Sequence, residues 1–410
     1  MTVKAATAVS VHPSRVLFPL GLGTALSLMG DATLYTVLPT HTVDAGITMA
    51  GVGIILGVNR AIRLLSNGPA GLAYDRWPRR GLFLPALFLG ALSTAIYAAT
   101  RGFWPLFVGR LLWGLAWSGI WVGGATMILD VTTPHDRGRW TGLYQTWFFL
   151  GTSLGSLCGG VLTDRIGYTA TMWVGALVTL AGAVAALVLL PETRGAHPPD
   201  VRRAGEIPVM YGPLRSNSAL WAAVSLQGIN RFVVSGVISA TLGLVVQDQL
   251  ESVPLGLGVA SVTGVLMSSR SIFSMGAAPL CGSLSDRLGS RWLVTGWVVA
   301  VGLVGVLLMI WGSLVGLLAG VALTAIASGG IQSLTTTLTG DLVSHEQRGR
   351  AIGLLQTVND LGSAVGPPLA YALIPWIALP GVYLLCALLF AAGLLLSAYF
   401  QGQAQSTNLH

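Results

Sequence analysis

The sequence predicts an all-α membrane protein with twelve transmembrane helices in two pseudo-symmetric bundles of six. Hydrophobic residues make up 53% of the 410 residues and charged residues 9%, which leaves too few polar residues to cover a water-soluble fold. Apolar runs of about 20 residues recur along the chain, and each is long enough to cross a bilayer as a helix. Several stretches also return 211 positions later, as Arg137–Gly151 does in Arg348–Gly362.

Charged residues and Pro/Gly breaks delimit the predicted helices. The first six lie near 16–39, 46–70, 81–99, 105–129, 140–162 and 169–190, and the second six near 218–246, 256–281, 292–311, 314–339, 351–374 and 380–400. The interval 191–216 is rich in proline and charge, so it is predicted to be a cytoplasmic linker between an N-terminal bundle, 1–190, and a C-terminal bundle, 217–410. The segment before the first helix has no convincing cleavage site and is expected to be a short tail.

Basic residues outside the predicted helices are unevenly distributed. Fifteen fall in the tail, the linker and the loops of one side, against Arg101 and Arg165 on the other. Positive loops favour the cytoplasm, so we expect a multi-pass protein of the cell (inner) membrane with both termini inside. The basic excess then reflects topology and does not indicate a nucleic-acid partner. The three cysteines lie in apolar segments, which favours packing over disulfides.

The internal repeat extends over several helices. "RGRWTGLYQT" and "RGRAIGLLQT" share seven of ten residues, and "GLAYDRWPRR" at Gly71 matches "GSLSDRLGSR" at Gly282 in a glycine, an aspartate and an arginine. A fixed internal period predicts two structurally similar halves. Parallel halves of six helices are a known plan of secondary transporters.

These residues resemble the major facilitator superfamily across essentially the whole chain. "GLAYDRWPRR" is similar to the family's signature between helices two and three, with Pro78 where a glycine is usual. The resemblance implies charged contacts that latch the two halves together on the cytoplasmic side, while arginines that only set topology are the alternative. The candidate gate residues are Gly71, Asp75, Arg76, Arg79, Asp130, Arg137, Arg139, Gly282, Asp286, Arg287, Asp341, Arg348 and Arg350.

Two further stretches resemble signatures of the family, the first of them a signature of its drug and proton antiporters. "GDATLYTVLP" is similar to the first-helix signature, with Asp31 at its acidic position. "GRLLWGLAWSG" is similar to the fourth-helix signature and places Arg110 four residues before Gly114. By this resemblance Arg110 assists proton coupling.

The glycines of "GLYQTWFFLGTSLGSLCGG" resemble the fifth-helix signature of antiporters, with Ser156 where proline is usual. The resemblance implies export. On one helix face, small residues let a neighbouring helix approach closely, so packing without any transport direction is the alternative. The candidate packing glycines are Gly142, Gly151, Gly155, Gly159, Gly160, Gly353, Gly362 and Gly366.

Few charges lie within the predicted helices, and each should face the bundle interior because exposure to lipid is costly. They are Arg60, Arg63, Arg110, Arg231, Arg270, Asp31 and Asp360. All six histidines lie in loops or tails, so a proton would be carried by a carboxylate, with Asp31 the first candidate and Asp360 the second. We expect Arg110 to tune Asp31, since a nearby cation lowers the pKa of a carboxyl group and desolvation raises it.

Helical spacing aligns polar side chains into inward stripes that predict a substrate cavity. The candidates are Tyr35, Asn59, Arg60, Arg63, Trp113, Trp117, Gln227, Asn230, Arg231, Arg270, Gln356 and Asn359. Packing is an alternative role for the tryptophans, and interhelical pairing is one for the arginines. The arginine excess disfavours cationic drugs and suits an organic anion or a phosphorylated headgroup.

The leading interpretation is a proton-coupled antiporter that exports a small organic or amphiphilic compound by alternating access. An anion carrier working by uptake or exchange and a non-transporting sensor are the alternatives. The chain has no H-E-x-x-H motif, P-loop or nucleophile elbow, so an enzyme is not indicated. We expect no metal or cofactor, a proton gradient as the energy source and, by resemblance to the family, a monomer.

Overall fold

The computed structural model describes residues 12–132, 136–194, 217–252, 257–343 and 347–407. The first half contains α1 (Pro13–Val37), α2 (Met49–Arg76), α3 (Arg79–Ala99), α4 (Phe103–Val131), α5 (Arg137–Ile166) and α6 (Tyr168–Leu189). A single turn, Thr42–Ala45, lies between α1 and α2. Of the predicted linker, the described residues include only 191–194.

The second half begins with α7, which runs from 218 to 252 in three parts: α-helical Ser218–Asn230, π-helical Arg231–Ile238 and α-helical Ser239–Ser252. It continues with α8 (Val259–Leu288), α9 (Arg291–Ile310) and α10 (Leu314–Asp341). The last run, Arg348–Thr407, is interrupted at Ala378, whose φ of 54° and ψ of 176° are not helical. We call residues 348–377 α11 and residues 379–407 α12.

The predicted twelve-helix architecture is confirmed. Within the described residues, nine helices are long and apolar enough to span a membrane on their own, and the last of these contains both α11 and α12. The other two crossings, α5 and α8, are rich in glycine and serine and carry charged ends, which lowers their hydropathy. Both helices have small residues where they pack closely against neighbours.

Several helices extend past the predicted boundaries. α2 ends at Arg76 instead of 70, and α5 starts at Arg137 instead of 140 and ends at Ile166 instead of 162. The reason is that a helix can continue beyond the hydrocarbon layer, where charged residues are solvated, while hydropathy marks only its apolar core. The π-helical part of α7 was not predicted, because its residues have the same apolar pattern as an α-helix.

Each half is a bundle of six helices with its own apolar core. α1 packs on α5 and α6 in the first half, and α9 packs on α10 and α12 in the second. The halves meet along two pairs of helices, α5 with α8 and α2 with α11. Since α2 corresponds to α8 and α5 to α11 in the internal repeat, these two contacts are related by the pseudo-twofold axis.

The halves are in close contact at one end of the molecule and diverge toward the other. We call the end at which α1 begins the N-terminal face and the other end the distal face. Near the distal face, Cβ atoms on Gly53 and Gly160 would overlap residues of the opposite half. Toward the N-terminal face, Cβ atoms on Gly71 and Gly353 would meet no atom within 4 Å. The interior is therefore open toward the N-terminal face and closed at the distal face.

Candidate functional site

A cavity of about 400 Å³ lies between the two halves. Its walls come from both bundles and combine charged, aromatic and small polar side chains. The predicted residues that line it are Asp31, Tyr35, Asn59, Arg60, Arg63, Trp113, Trp117, Arg231, Arg270, Gln356, Asn359 and Asp360. Trp121, which continues the tryptophan spacing of α4, also lines the cavity, and so do Phe148 and Phe149, which were not predicted from the sequence.

Asp31 and Arg110 form an ion pair within the first half. Arg110 is fully buried, and its Nε donates to the carbonyl of Ile55 at 3.3 Å. The ring of Tyr35 lies 4.9 Å from the Arg110 guanidinium carbon. Arg110 is not among the cavity-lining residues, whereas Asp31 is. The carboxylate is thus placed between a buried cation on one side and the cavity on the other.

Arg63 and Asp360 form a second ion pair, and this one joins the two halves. Arg63 Nη2 lies 2.6 Å from Asp360 Oδ1. Asn67, one helical turn after Arg63, donates from Nδ2 to Asp360 Oδ2 at 3.2 Å. Both carboxylate oxygens therefore accept bonds from α2, although Asp360 belongs to α11. Asn67 was missed from sequence, where its spacing of four residues from Arg63 is the available signal.

The other cavity arginines bond backbone carbonyls and hydroxyls. Arg60 donates to the Ser235 carbonyl at 2.6 Å, and Arg270 donates to the Val234 carbonyl at 2.8 Å. Arg231 donates to Ser235 Oγ at 3.2 Å. Within the described part of the chain, no carboxylate lies within 4.0 Å of the charged nitrogens of these three arginines.

The π-helical part of α7 explains where two of these arginines bind. A π-helical turn replaces the regular i→i−4 bonds and marks a place where the helix departs from its usual ladder. Here Val234 and Ser235 present carbonyls that accept from Arg270 of α8 and from Arg60 of α2. Arg60 thus reaches from the first half into a helix of the second.

Aromatic rings of α4 and α5 also line the cavity. Trp113 and Trp117 stack with their centroids 6.3 Å apart, and Trp117 and Trp121 stack at 5.6 Å. Phe148 packs edge-on against Trp121 at 5.4 Å. Trp113 is only 1% exposed and Trp117 6%, so these rings belong to the core of the first half and also line the cavity.

Gln227 and Asn230 do not line the cavity and differ in this from the prediction. Gln227 donates to Asn359 Oδ1 at 2.9 Å, and Asn230 donates to the Ser328 carbonyl at 3.3 Å. Both are fully or almost fully buried between α7 and its neighbours. Hydrogen bonds turn their amides toward α11 and α10.

The candidate gate residues form ion pairs within each half. Arg79 Nε lies 2.9 Å from Asp130 Oδ2 in the first half. In the second, Arg291 pairs with Asp341 and lies 3.1 Å from Asp286 Oδ1. The prediction that such contacts latch one half to the other does not describe this conformation, because the halves are apart at the N-terminal face.

The remaining candidate gate residues are mostly solvated. Arg76, Arg139, Arg287 and Arg350 are exposed, and Gly282 lies in a half-buried position. Asp75 is exposed and its carbonyl accepts a bond from Arg194. The side chains of Arg137 and Arg348 lie outside the described residues.

A short segment after α6, which we call the strap (Pro191–Arg194), was not predicted as part of this region. The Glu192 carboxylate accepts from the backbone N–H groups of Arg79 and Arg80 at 3.0 and 3.1 Å, and so caps the start of α3. Arg194 donates to the Arg76 carbonyl at the end of α2. The strap ties three helix ends of the first half together.

The candidate packing glycines divide into two groups. Cβ atoms on Gly151, Gly155 and Gly159 would overlap α1, and one on Gly160 would overlap α8. Those on Gly362 and Gly366 would crowd α7. Gly142 and Gly353 differ from the prediction, since Cβ atoms there would meet nothing within 4 Å. They lie near the N-terminal face, where the helices diverge.

Comparisons with known proteins agree with this architecture. Residues 20–264 and 220–408 match the model of the Major Facilitator Superfamily. The chain is 26% identical over 384 residues to the tetracycline resistance protein, class C, of Escherichia coli, covering 89% of this chain and 94% of the relative. It is 24% identical over 379 residues to the multidrug resistance protein MdtG of Citrobacter koseri, covering 89% of each.

Among solved structures, it is similar to a bacterial homolog of the human lysosomal transporter Spinster in an inward-facing and occupied conformation. The TM-score is 0.78 at 16% identity, with 95% of this chain and 97% of that chain covered. Two parallel halves of six helices around a central cavity are a known plan of secondary transporters. The chain belongs to the Major Facilitator Superfamily. It is a transporter of small molecules and not an enzyme. The family match gives no support to the alternative of a non-transporting sensor.

Proposed function

We propose that this transporter exports an organic anion with an apolar, ring-containing body in exchange for protons. The observation that carries the proposal is the trio Arg60, Arg231 and Arg270 on a cavity wall, with no carboxylate within ion-pair distance in the described chain. Asp31 and Asp360 are each neutralised by another arginine. The cavity therefore carries a positive charge that its own residues do not balance.

Uncompensated buried charge destabilises a protein, so an anion that enters this cavity is stabilised there. A guanidinium presents a planar fork of donors that matches carboxylate or phosphate oxygens. The stacked tryptophans that also line the cavity offer apolar area to a ring system. A cationic compound meets repulsion from the same arginines. The geometry thus favours the anionic class among the substrates that the sequence left open.

Proton coupling is assigned to Asp31 and Asp360. Protonation of Asp360 removes the charge that holds Arg63 and weakens the bond between α2 and α11. Protonation of Asp31 removes the counter-ion of Arg110 and so changes the charge beside the cavity. If Asp31→Asn retained full proton-driven transport in proteoliposomes, Asp31 would have no part in coupling.

The glycine contacts between α5 and α1 support export, because they match the signature that resembles antiporters. The relative in Escherichia coli is a tetracycline resistance protein. Energetics agree as well: each unit charge moved across 100 mV is worth about 2.3 kcal/mol. A membrane potential that is negative inside favours both the exit of an anion and the entry of a proton.

Transport by reconstituted protein tests the proposal with three matched probes, 1-naphthoate, neutral 1-naphthamide and cationic 1-naphthylmethylamine. When a proton gradient is imposed, we expect naphthoate to move in the direction opposite to the protons. The other two probes should move little. Proton-driven movement of the amine without movement of naphthoate would refute the anionic class.

The second candidate is uptake of the same anion with a proton, and the arginine trio supports it equally. The sign of the charge movement separates the two mechanisms. Exchange of an anion for an inward proton carries net positive charge inward, whereas entry of a monoanion with one proton is electroneutral. A potential-sensitive dye in the same vesicles reads this difference.

A further inference from the structure

Asp164, at the distal end of α5, contacts the start of α8 in the other half. Its Oδ2 accepts from the backbone N–H of Ser261 at 2.6 Å. Ser261 is the third residue of α8, and Gly258 is the residue before its first turn. A side chain at this preceding position normally accepts from the second or third N–H of the helix. Gly258 has no side chain to do so, and Asp164 takes that bond from the opposite half.

The fit of the carboxylate is close. A Cβ atom on Gly258 would overlap the carboxyl group of Asp164, so this group occupies the space in which a local cap would begin. Gly258 has a φ of −72° and a ψ of 157°, which any residue adopts. Its lack of a side chain therefore serves the approach of Asp164 and is not required by the backbone conformation.

The pseudo-symmetric contact, between α2 and α11, has no such cap from the opposite half. α2 corresponds to α8, and it is capped by its own Thr48, whose Oγ1 accepts from Gly51 N–H at 3.3 Å. The position that corresponds to Asp164 in α11 is Pro375, which carries no acceptor in its side chain. Of the two helix pairs that join the halves, α5 with α8 alone combines a missing local cap with a carboxylate from across the interface.

We propose that Asp164 is a positioning residue of the transport cycle, which caps α8 from the opposite half and thereby holds the distal face closed. The bond forms only while α5 and α8 are together, so opening of the distal face must break it. Asp164 is exposed, and water can solvate its carboxylate once the bond is broken. This makes the contact reversible. The inference concerns the access cycle and does not depend on the identity of the substrate.

Two substitutions separate a latch from a merely structural cap. Asp164→Ala removes both the cap and the link between the halves. Gly258→Ser supplies a local cap in its place and displaces the Asp164 carboxylate, so α8 stays capped while the link is lost. Asp164→Asn keeps an acceptor oxygen and is the conservative control.

Distances between spin labels report the access state without any ligand. Labels at Val43 and Trp311, which are 90% and 80% exposed in opposite halves, measure the distal face. Labels at Trp77 and Leu288 measure the N-terminal face. The three native cysteines, Cys158, Cys281 and Cys386, are first replaced by alanine.

We expect at least a threefold rise of the distal-open population in both Asp164→Ala and Gly258→Ser, with the N-terminal pair moving closer in the same fraction. The distal-open population of Asp164→Asn should stay closer to that of the parent protein. A parental distance distribution in Gly258→Ser would overturn the proposal and reduce the contact to helix capping. Unchanged populations in Asp164→Ala, with only a lower unfolding temperature, would also overturn it.

Discussion

Two carboxylates in this molecule are paired in different ways. Asp31 is paired with a fully buried arginine of its own half, whereas Asp360 is paired with Arg63 of the other half and with Asn67. Loss of charge at Asp31 therefore changes one bundle internally. Loss of charge at Asp360 changes the bond between the bundles, so the second carboxylate is the more direct link between a proton and a movement.

The substitution Asp360→Asn should uncouple transport from protons. It removes the ion pair with Arg63 but keeps a side chain of the same shape. Exchange of labelled for unlabelled 1-naphthoate needs no net proton movement and should persist, whereas uptake driven by a pH gradient should fall at least tenfold. Equal losses in both assays would point to a binding or folding role for Asp360.

Arg231 gives the cleanest test of the anion site. Arg60 and Arg270 also hold carbonyls of α7, so their removal alters the backbone, but Arg231 bonds Ser235 of its own helix. Hydrogen bonds to charged groups contribute about 1.5–3 kcal/mol, so Arg231→Gln should weaken equilibrium binding of radiolabelled 1-naphthoate about ten- to hundredfold. Arg101→Gln, an exposed change at the distal face, is the matched control. Unaltered affinity in the Arg231 variant would remove this arginine from the site.

At the scale of elements, how closely α11 approaches its neighbours depends on the position along the helix. Gly366 of α11 lies against Gly236, in the π-helical part of α7, where an added Cβ would lie 2.6 Å from the Gly236 Cα. Gly353 lies nearer the start of the same helix, and an added Cβ there would meet no atom within 4 Å. The same substitution at the two positions thus meets different surroundings.

Gly366→Ala should destabilise the protein by about 1–3 kcal/mol, because the extra methyl group forces the helices apart. Gly353→Ala should leave stability unchanged or raise it by up to about 1 kcal/mol, since alanine is the better helix former. Thermal unfolding of both variants in the same detergent measures the difference. A Gly366→Ala protein as stable as its parent would show that α7 and α11 can separate freely.

At the scale of the whole molecule, the basic residues predict that the N-terminal face is cytoplasmic. The cavity then opens inward in this structure. A single cysteine at Val43 should react with a membrane-impermeant maleimide added to intact cells, and one at Trp77 should react only after the membrane is broken. The opposite pattern would invert the topology and assign the open cavity to the outside.

Hydropathy and the internal repeat were sufficient to predict the number of helices and their division into halves. They were also sufficient to select Asp31, Arg110, Arg63 and Asp360, because a charge in an apolar helix stands out. They could not show that Arg63 and Asp360 meet, since that contact depends on which end of the molecule is closed. The strap and Asp164 were missed for a different reason: they act at helix ends, where charged residues are common and the pattern does not distinguish a cap from a solvated side chain.

The reach of Arg60 across the interface has a consequence for how the cavity is charged. Arg60 belongs to the first half, but its guanidinium is held by carbonyls of Ser235 and Ser363 in the second. When the halves rock apart, Arg60 leaves with α2, whereas Arg231 and Arg270 stay with α7 and α8. The cavity then has different charge distributions in its two access states. A ligand shifts a conformational equilibrium only by its differential affinity for the two states. An anion held by all three arginines thus favours the state in which they converge, and its release is linked to their separation.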